Sequence, residues 1–307
     1  MSEPTPTQRA RELVRGGYDM HVHIAPDVVE RKISDIGLAR RCVELGLAGF
    51  QLKSHYTSTA ERARTISEAV GGVRVLGAIT LNRAVGGLNA LAVEIAAREG
   101  ARTVWFPTVH SVNEQHEVHP APPGAKVPVW VAFELELRAA GHQAEPVAVL
   151  DSNGALLPAA HEVLAVVARH GMVLATGHLS RDEIFVLVEG AVAAGVSHIV
   201  VTHPEFPSQR LSIADQLALA ERGALLERCF TTPHTGKVSW EQIARASREV
   251  GPAHTVWSSD LGQLFNPAVE DGLALMADQF LAAGFSEEEV VTMAVTNTRR
   301  LAGEDSP

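Results

Sequence analysis

The sequence predicts an α/β fold, a (β/α)8 barrel of the TIM type with an insertion between its fourth and fifth strands. Short runs that are apolar on both faces alternate with amphipathic segments along most of the chain, which is typical of parallel strands covered by helices. The ends of these runs recur at about 25 to 33 residues, the length of one strand plus one helix. Barrels of this kind form one unit at a length of 307 residues, so we expect a single domain over residues 1–307.

Eight strands are predicted in order along the chain. Three of the helices between them have clear signals at their ends. The helix over 33–45 stops before Gly46, the helix over 180–194 begins with a capping box from Ser180 to Glu183, and the helix over 212–222 stops before Gly223. The predicted strands cover residues 18–24, 49–53, 73–79, 103–107, 172–176, 198–202, 224–227 and 254–258.

One interval departs from the repeat, because 70 residues separate Thr108 from His178. We assign the excess to an insertion over residues 110–160. A proline-rich stretch is followed there by two alternating runs, over 127–137 and 147–151, with Gly141 between them. Alternation indicates half-buried strands, so the expected structure is a β-hairpin or small sheet that forms a lid over the barrel mouth. A disordered linker is the alternative, and Trp130 and Phe133 argue against it.

Composition argues against several classes of partner. The net charge is −10 and no cluster of lysine and arginine occurs, so nucleic acid and anionic membrane are not expected partners. No signal peptide and no run of 18 apolar residues is recognisable. Cys42 and Cys229 are expected to be buried free thiols. We expect a cytoplasmic protein that acts on a small molecule, and the sequence leaves a homo-oligomer open.

His21 and His23 stand two residues apart in the first predicted strand. Side chains at positions i and i+2 of a strand project to the same side, so both imidazoles can reach one point. Imidazole and carboxylate together predict a site for Zn, Mn, Fe or Ni. Later strands also end in polar residues, where barrel enzymes place their catalytic groups. These residues are Lys53 and His55, His178, His203, Glu227 and Asp260.

This pattern resembles the amidohydrolase superfamily, whose members are metal-dependent hydrolases built on distorted (β/α)8 barrels. The resemblance rests on His21-Val-His23, His178 in Thr-Gly-His, His203 in Val-Thr-His-Pro and Asp260 in Ser-Ser-Asp, and the ending that begins at Asn297 is also similar. Within the superfamily the chain is most similar to uncharacterised DUF6282-type members. The shared features are Leu52-Lys-Ser-His55, Gly86-Gly-Leu-Asn89 and Val104-Trp-Phe-Pro-Thr108.

The resemblance implies that His21 and His23 bind a buried metal with Asp260, and that His178 and His203 bind a second one. Many binuclear members carry a carboxylated lysine or a glutamate at strand four, and this chain has neither there. Lys53 in strand two is the expected substitute, as a carbamate that bridges two cations. A free lysine that binds a substrate carboxylate or pairs with Glu227 is the alternative. The expected cofactor is one or two divalent ions, with Zn in first place.

The predicted reaction is hydrolysis of an amide or cyclic amide C–N bond. A Zn-type cation lowers the pKa of bound water to about 7, Asp260 serves as general base and then acid, and the metal or His55 polarises the carbonyl. The alternatives are a lactone or phosphoester hydrolase, a mononuclear decarboxylase and, as a different class, a metal-binding barrel without catalysis. Further residues are predicted to bind substrate, namely Asp27, His110, Glu227 and Asn89.

Overall fold

Eight parallel strands form the barrel in the computed structural model, which describes residues 4–114, 129–142 and 144–304. They are β1 Tyr18–Val22, β2 Gly49–Leu52, β3 Arg74–Thr80, β4 Ala101–Trp105, β5 Val173–Ala175, β6 His198–Val201, β7 Ala224–Cys229 and β8 Thr255–Ser258. Each strand pairs in parallel with the next one along the chain. Just beyond β8, the amide of Asp260 donates to the carbonyl of His21 at 2.8 Å, which brings the last strand back to the first. The predicted (β/α)8 barrel is confirmed.

Helices surround the barrel. They are α1 Gln8–Leu13, α2 Asp35–Leu45, α3 Ala60–Val70, α4 Ala90–Arg98, α5 Val129–Ala139, α6 Pro158–Arg169, α7 Arg181–Ala193, α8 Ile213–Glu221, α9 Thr231–His234, α10 Trp240–Val250, α11 Gly272–Ala282, α12 Glu287–Val291 and α13 Asn297–Ala302. Short 3₁₀ turns cover Arg83–Val85, Val112–Glu114, Pro252–His254 and Val269–Asp271, and a π-helical turn, Thr292–Thr296, joins α12 to α13. Ser180 forms the predicted capping box at the start of α7, and Ser212 forms another at the start of α8.

Apolar side chains pack on both sides of the barrel wall. Inside, Met20, Trp105 and Val256 pack in one cluster with Leu301 of α13. Two larger clusters fill the space between the strands and the outer helices. Each fully buried aliphatic or aromatic side chain contributes about 1.5–3 kcal/mol. The strands therefore form a rigid platform for the residues at their carboxyl ends.

A β-bulge in β1 directs the first histidines inward. Between the paired residues Asp19 and Val22, β1 contains one residue more than the facing segment of β2. Bulges bend a strand and re-aim its side chains, and they are common beside active sites. Met20 lies in the interior cluster, and the next residue, His21, packs against Trp105 with ring centroids 4.6 Å apart. Two successive side chains thus face the interior, which simple alternation does not predict.

The β-hairpin prediction for the insertion is wrong where the structure describes this segment. The run expected as a first strand, over 127–137, is helical from Val129 onward and forms α5. Its alanine, leucine, glutamate and arginine residues are strong helix formers, and no strand among the described residues faces them. The run over 147–151 makes only isolated bridges, Ser111 with Val147 and Leu150 with Leu156. The proline-rich stretch lies outside the described residues.

Within the described part of the chain, no helix has both the length and the apolar character needed to cross a membrane.

Candidate metal centre

Three side chains converge where β8 meets β1. The Oδ1 atom of Asp260 lies 3.3 Å from Nε2 of His21 and 3.3 Å from Nε2 of His23. Both imidazoles are buried, whereas 18% of the Asp260 side chain is exposed at the barrel mouth. Ligands of a tetrahedral ion at bond lengths of about 2.1 Å lie about 3.4 Å apart. These spacings fit two edges of a metal site and unite the three residues that the sequence predicted to share one metal.

The protonation states of this group also fit a cation. Burial lowers the pKa of His21 and that of His23 well below the usual value, and the nearby Lys53 lowers both further. Burial alone would raise the pKa of Asp260, but His21 and Lys53 outweigh it, so this pKa lies below its ordinary value. Metal binding requires neutral imidazole and ionised carboxylate. The donor set therefore fits a divalent transition metal.

An unusual backbone conformation holds Asp260 against the end of β1. Asp260 has a φ of 54°, a left-handed conformation that costs a non-glycine residue about 1–3 kcal/mol. Gly262 follows with a φ of 137°, and a Cβ there would lie 1.5 Å from the carbonyl oxygen of His23. No larger residue fits at this point. The close approach of the two strand ends thus positions the carboxylate beside both imidazoles.

Lys53 reaches the same point from the residue after β2. Its Nζ atom lies 2.9 Å from Nε2 of His21 and 4.0 Å from the centre of the Trp105 ring. The side chain is buried, and this burial lowers the pKa of Lys53. An ammonium donates its hydrogen bond to the same Nε2 lone pair that a metal ion needs. Lys53 therefore lies within reach of the predicted ligand His21.

His178 and His203 face this group from the other side of the mouth. Their ring centroids are 5.0 Å apart, and the ring of His203 lies 6.4 Å from that of His21. Phe206 packs against His203 with centroids 4.8 Å apart. His203 has a φ of 26°, the second strained backbone position among the predicted ligands. The structure thus brings all five predicted protein ligands and Lys53 to one end of the barrel.

Two carboxylates that are almost fully buried lie close to the Nδ1 atoms of two of these histidines. Oε1 of Glu227 lies 3.3 Å from Nδ1 of His21, and Oε1 of Glu114 lies 3.3 Å from Nδ1 of His178. The contact of Glu227 with Nδ1 of His21 fixes the tautomer and leaves Nε2 available for a metal. Glu114 lies within ion-pair distance of His178, whose Nδ1 has no hydrogen-bond partner among the described residues. Glu227 was predicted to bind substrate, but it lies below His21 inside the barrel, among Met20 and other interior residues. Glu114 was not predicted, because it follows no strand and belongs to the insertion.

His55, predicted to be catalytic, is fixed by a hydrogen-bonded network. Its Nδ1 atom lies 2.8 Å from Oγ1 of Thr108, and its ring stacks on His23 with centroids 4.9 Å apart. The Asn82 side chain donates to the His55 carbonyl and to Thr108 Oγ1, and accepts from the amides of Thr108 and His110. Asn82 is fully buried and was not among the predicted site residues. Its position two residues after β3 was an available signal.

The other predicted substrate residues differ in their surroundings. Asp27 lies in the loop after β1, where its Oδ2 atom accepts from Nε of Arg31 at 2.7 Å. His110 lies at the mouth, with Nε2 3.1 Å from Oε2 of Glu134 on α5. Asn89 caps α4 by accepting from an amide in its first turn at 3.1 Å, so its side chain has a structural role in the fold.

Most of the chain matches the sequence model of a known protein family. The sequence model of DUF6282, a family of unknown function, matches residues 16–227. No curated protein matches the chain.

Solved structures show the same barrel at low sequence identity. An amidohydrolase from Pseudomonas aeruginosa superposes with a TM-score of 0.61 at 13% identity, covering 96% of this chain and 99% of the other. The probable dipeptidase PvdM from the same organism gives 0.60 at 12% identity, with 97% of each chain covered. An enamidase, described as a new member of the amidohydrolase superfamily, gives 0.57 at 15% identity, covering 97% of this chain and 68% of the other. These likenesses establish a shared fold.

Proposed function

The chain belongs to the DUF6282 family, and we propose that it is a metal-dependent hydrolase that cleaves an amide or cyclic amide C–N bond. The observation that carries the proposal is the position of Asp260, 3.3 Å from both His21 and His23 and open to the barrel mouth. The similar structures include proteins named amidohydrolase, dipeptidase and enamidase, which supports an amide as the substrate.

The donor set favours one or two divalent ions, with Zn in first place and Mn, Fe or Ni as alternatives. His21, His23 and Asp260 would hold one ion, and His178 with His203 would hold a second. When bound, such an ion supplies Lewis acidity, which makes water an effective nucleophile at neutral pH.

Asp260 is proposed to move the proton during hydrolysis. Its Oδ2 atom accepts a hydrogen bond from Thr231 Oγ1 at 2.9 Å, which orients the carboxylate. Because its pKa lies below the usual value, Asp260 is ionised at neutral pH and can accept a proton from the attacking water. The same carboxyl group then delivers that proton to the leaving amine.

His55 is proposed to orient the scissile carbonyl. Its Nδ1 atom is engaged by Thr108, which leaves Nε2 as the atom available to a substrate. Burial lowers the pKa of His55 well below its usual value. A neutral imidazole with an N–H at Nε2 can donate a hydrogen bond to a carbonyl oxygen, and it stabilises the charge that develops there.

Lys53 is proposed to carry a carbamate in the active enzyme. Its lowered pKa favours the neutral amine, which adds to CO2 and releases one proton to give a carbamate with two oxygen donors. Lys53→Ala is then expected to lose one of two ions, with partial rescue by small carboxylic acids added with metal. Retention of both ions in Lys53→Ala, measured by elemental analysis, would assign Lys53 to the alternative role of substrate anchor.

Two kinds of alternative remain testable. A lactone or phosphoester hydrolase and a mononuclear decarboxylase would use the same residues, and a metal-binding barrel without catalysis would use only the ligands. Phosphoester cleavage is disfavoured because few cations lie at the described part of the mouth, where Lys53 and Arg31 influence the pKa of His23. The proposed partner is a small-molecule substrate, and nucleic acid and membranes are not proposed as partners.

The deciding experiment combines metal analysis with a substrate screen. Protein reconstituted with Zn is tested on linear amides, hydantoins, lactams, lactones and phosphoesters, with Asp260→Asn as the matched variant. We expect amide or cyclic amide hydrolysis that falls about 10²-fold or more in Asp260→Asn while metal stays bound. Near-normal turnover in that variant would refute the role of Asp260, and activity confined to lactones or phosphoesters would replace the proposed reaction.

A further inference from the structure

Arg31 lies in the loop between β1 and α2, and hydrogen bonds fix this loop at several points. The amide of Lys32, the next residue, donates to the carbonyl of Gly262 at 2.9 Å, two residues beyond Asp260. Arg62 of α3 donates to the carbonyls of Ile24 and Pro26 at the base of the loop. The loop between β1 and α2 is therefore held over the centre on which His23 and Asp260 converge.

The guanidinium of Arg31 is nearly buried and has one partner among the described residues. Its side chain is 7% exposed, and Nε and Nη2 both lie 2.7 Å from Oδ2 of Asp27. The Oδ1 atom of Asp27 accepts from the amide of Val28, so both carboxylate oxygens are engaged. No nitrogen of Arg31 is among the buried atoms that lack a hydrogen-bond partner. Nη1, which has no partner among the described residues, therefore keeps some contact with solvent.

We infer that Arg31 binds a carboxylate group carried by the substrate. This inference rests on the proposed hydrolase function and names its substrate class, an amide that bears a carboxylate. A planar guanidinium presents paired N–H donors that match a carboxylate. Asp27 holds the arginine in position and, by this argument, does not itself contact substrate.

The charge at the site favours a carboxylate over a phosphate. Asp27 already compensates much of the charge of Arg31, and Lys53 is buried against His21 and Trp105. One partly compensated cation suits a singly charged group, whereas a doubly charged phosphate would leave charge unpaired in a nearly buried place. Arg31 also lowers the pKa values of His23 and His55, so its field reaches the centre itself.

The first test measures binding without turnover. Metal-free protein is titrated with N-acetylglycine and with its neutral amide at constant ionic strength, and the thermal midpoint is recorded. N-acetylglycine should stabilise the wild type and the control Arg64→Met, which removes an exposed ion pair of the same i,i+4 spacing. In Arg31→Met the Kd for the acid should rise about 10- to 100-fold, with no change for the amide. Arg31→Lys keeps the positive charge but loses the paired N–H donors, so its Kd for the acid should lie between those of the wild type and Arg31→Met.

The second test uses zinc-loaded protein and matched pairs of N-acyl amino acids and their amides. Arg31→Met should raise KM for the acids about 10- to 100-fold more than it raises KM for the matching amides. Equal loss for both members, or Arg31-dependent binding of inorganic phosphate that exceeds binding of N-acetylglycine, would overturn the inference. Absence of hydrolysis by the wild type, with Arg31-dependent binding intact, would overturn the proposed function and support the binding site.

Discussion

Replacing Glu227 by glutamine removes a buried carboxylate from behind His21 with almost no change in volume. In the wild type, Oε1 of Glu227 lies 3.3 Å from Nδ1 of His21, and both side chains are about 1–2% exposed. Glutamine can still accept a hydrogen bond from Nδ1, so the loss is confined to the negative charge. The negative charge of Glu227 makes the Nε2 atom of His21 more basic, and so a stronger metal ligand, and it fixes the tautomer of the imidazole.

The expected effect is a weaker metal site in a folded protein. Changes to carboxylates that support metal-binding histidines cost about 10- to 100-fold in metal affinity, which is about 1.4–2.7 kcal/mol. We place Glu227→Gln in this range because the pair is buried, where water cannot replace the lost charge. Zinc affinity is measured by competition with a chromophoric chelator at fixed pH.

The control is Glu134→Gln, since Glu134 also pairs with a histidine, at 3.1 Å from Nε2 of His110, but stands at the mouth away from the ligands. It should leave zinc affinity unchanged. Zinc affinity of Glu227→Gln within threefold of the wild type would refute the role of the carboxylate. Cys229, whose Sγ lies 3.8 Å from Nδ1 of His21, offers a second check. If Cys229→Ser lost the metal, the ion would bind instead to His21, Glu227 and Cys229, which also lie close enough to share one.

Three other predictions follow from the site. The double variant His21→Ala/His23→Ala should bind no zinc at the first position while its far-UV spectrum stays that of the wild type, and full metal stoichiometry would contradict the ligand assignment. Burial, with the neighbouring His178, lowers the pKa of His203 to about 3, so the unfolded chain takes up a proton below pH 6.5 that the folded chain does not. The free energy of unfolding of the metal-free protein should therefore fall by about 2 kcal/mol because of His203 as the pH drops from 6.5 to 5. In denaturant titrations His203→Gln should lose less over the same range. Equal losses in the two proteins would contradict the prediction for His203. Gly262→Ala should lower the thermal midpoint and zinc affinity together, because its Cβ would meet the carbonyl of His23, and an unchanged midpoint would show that this contact relaxes without cost.

The fold and the convergence of the ligands could be predicted because both depend on local regularities. A strand and a helix recur along the chain, and parallel strands bring their carboxyl ends to one edge. His21, His23, His178, His203 and Asp260 all lie at or near such ends, so the periodicity predicts that they share one end of the barrel, although it does not predict the β-bulge that turns His21 inward. None of this requires knowledge of a side-chain contact.

The supporting residues could not be predicted in the same way. Glu114 lies in the insertion and Arg31 in a loop, so their contacts depend on loop paths that no period specifies. Glu227 was placed at the mouth because it ends a predicted strand, yet β7 continues to Cys229 and leaves Glu227 inside the barrel. The helix α5 was missed because alternation over a few residues also occurs in an amphipathic helix whose sequence favours helical structure.

The charges of the side chains that contact the predicted ligand imidazoles link the number of ions to the state of Lys53. Glu227, Glu114 and Asp260 bring three negative charges when ionised; burial raises the pKa of Glu227, and a bound cation would restore its ionised form. With an ammonium on Lys53, two negative charges remain, which match one divalent ion. With a carbamate, four remain, which match two. Because uncompensated buried charge costs several kcal/mol, we expect apo-protein reconstituted without CO2 to bind one zinc and with bicarbonate to bind two. Mass and elemental analysis that find two bound ions together with an unmodified Lys53 would contradict this prediction.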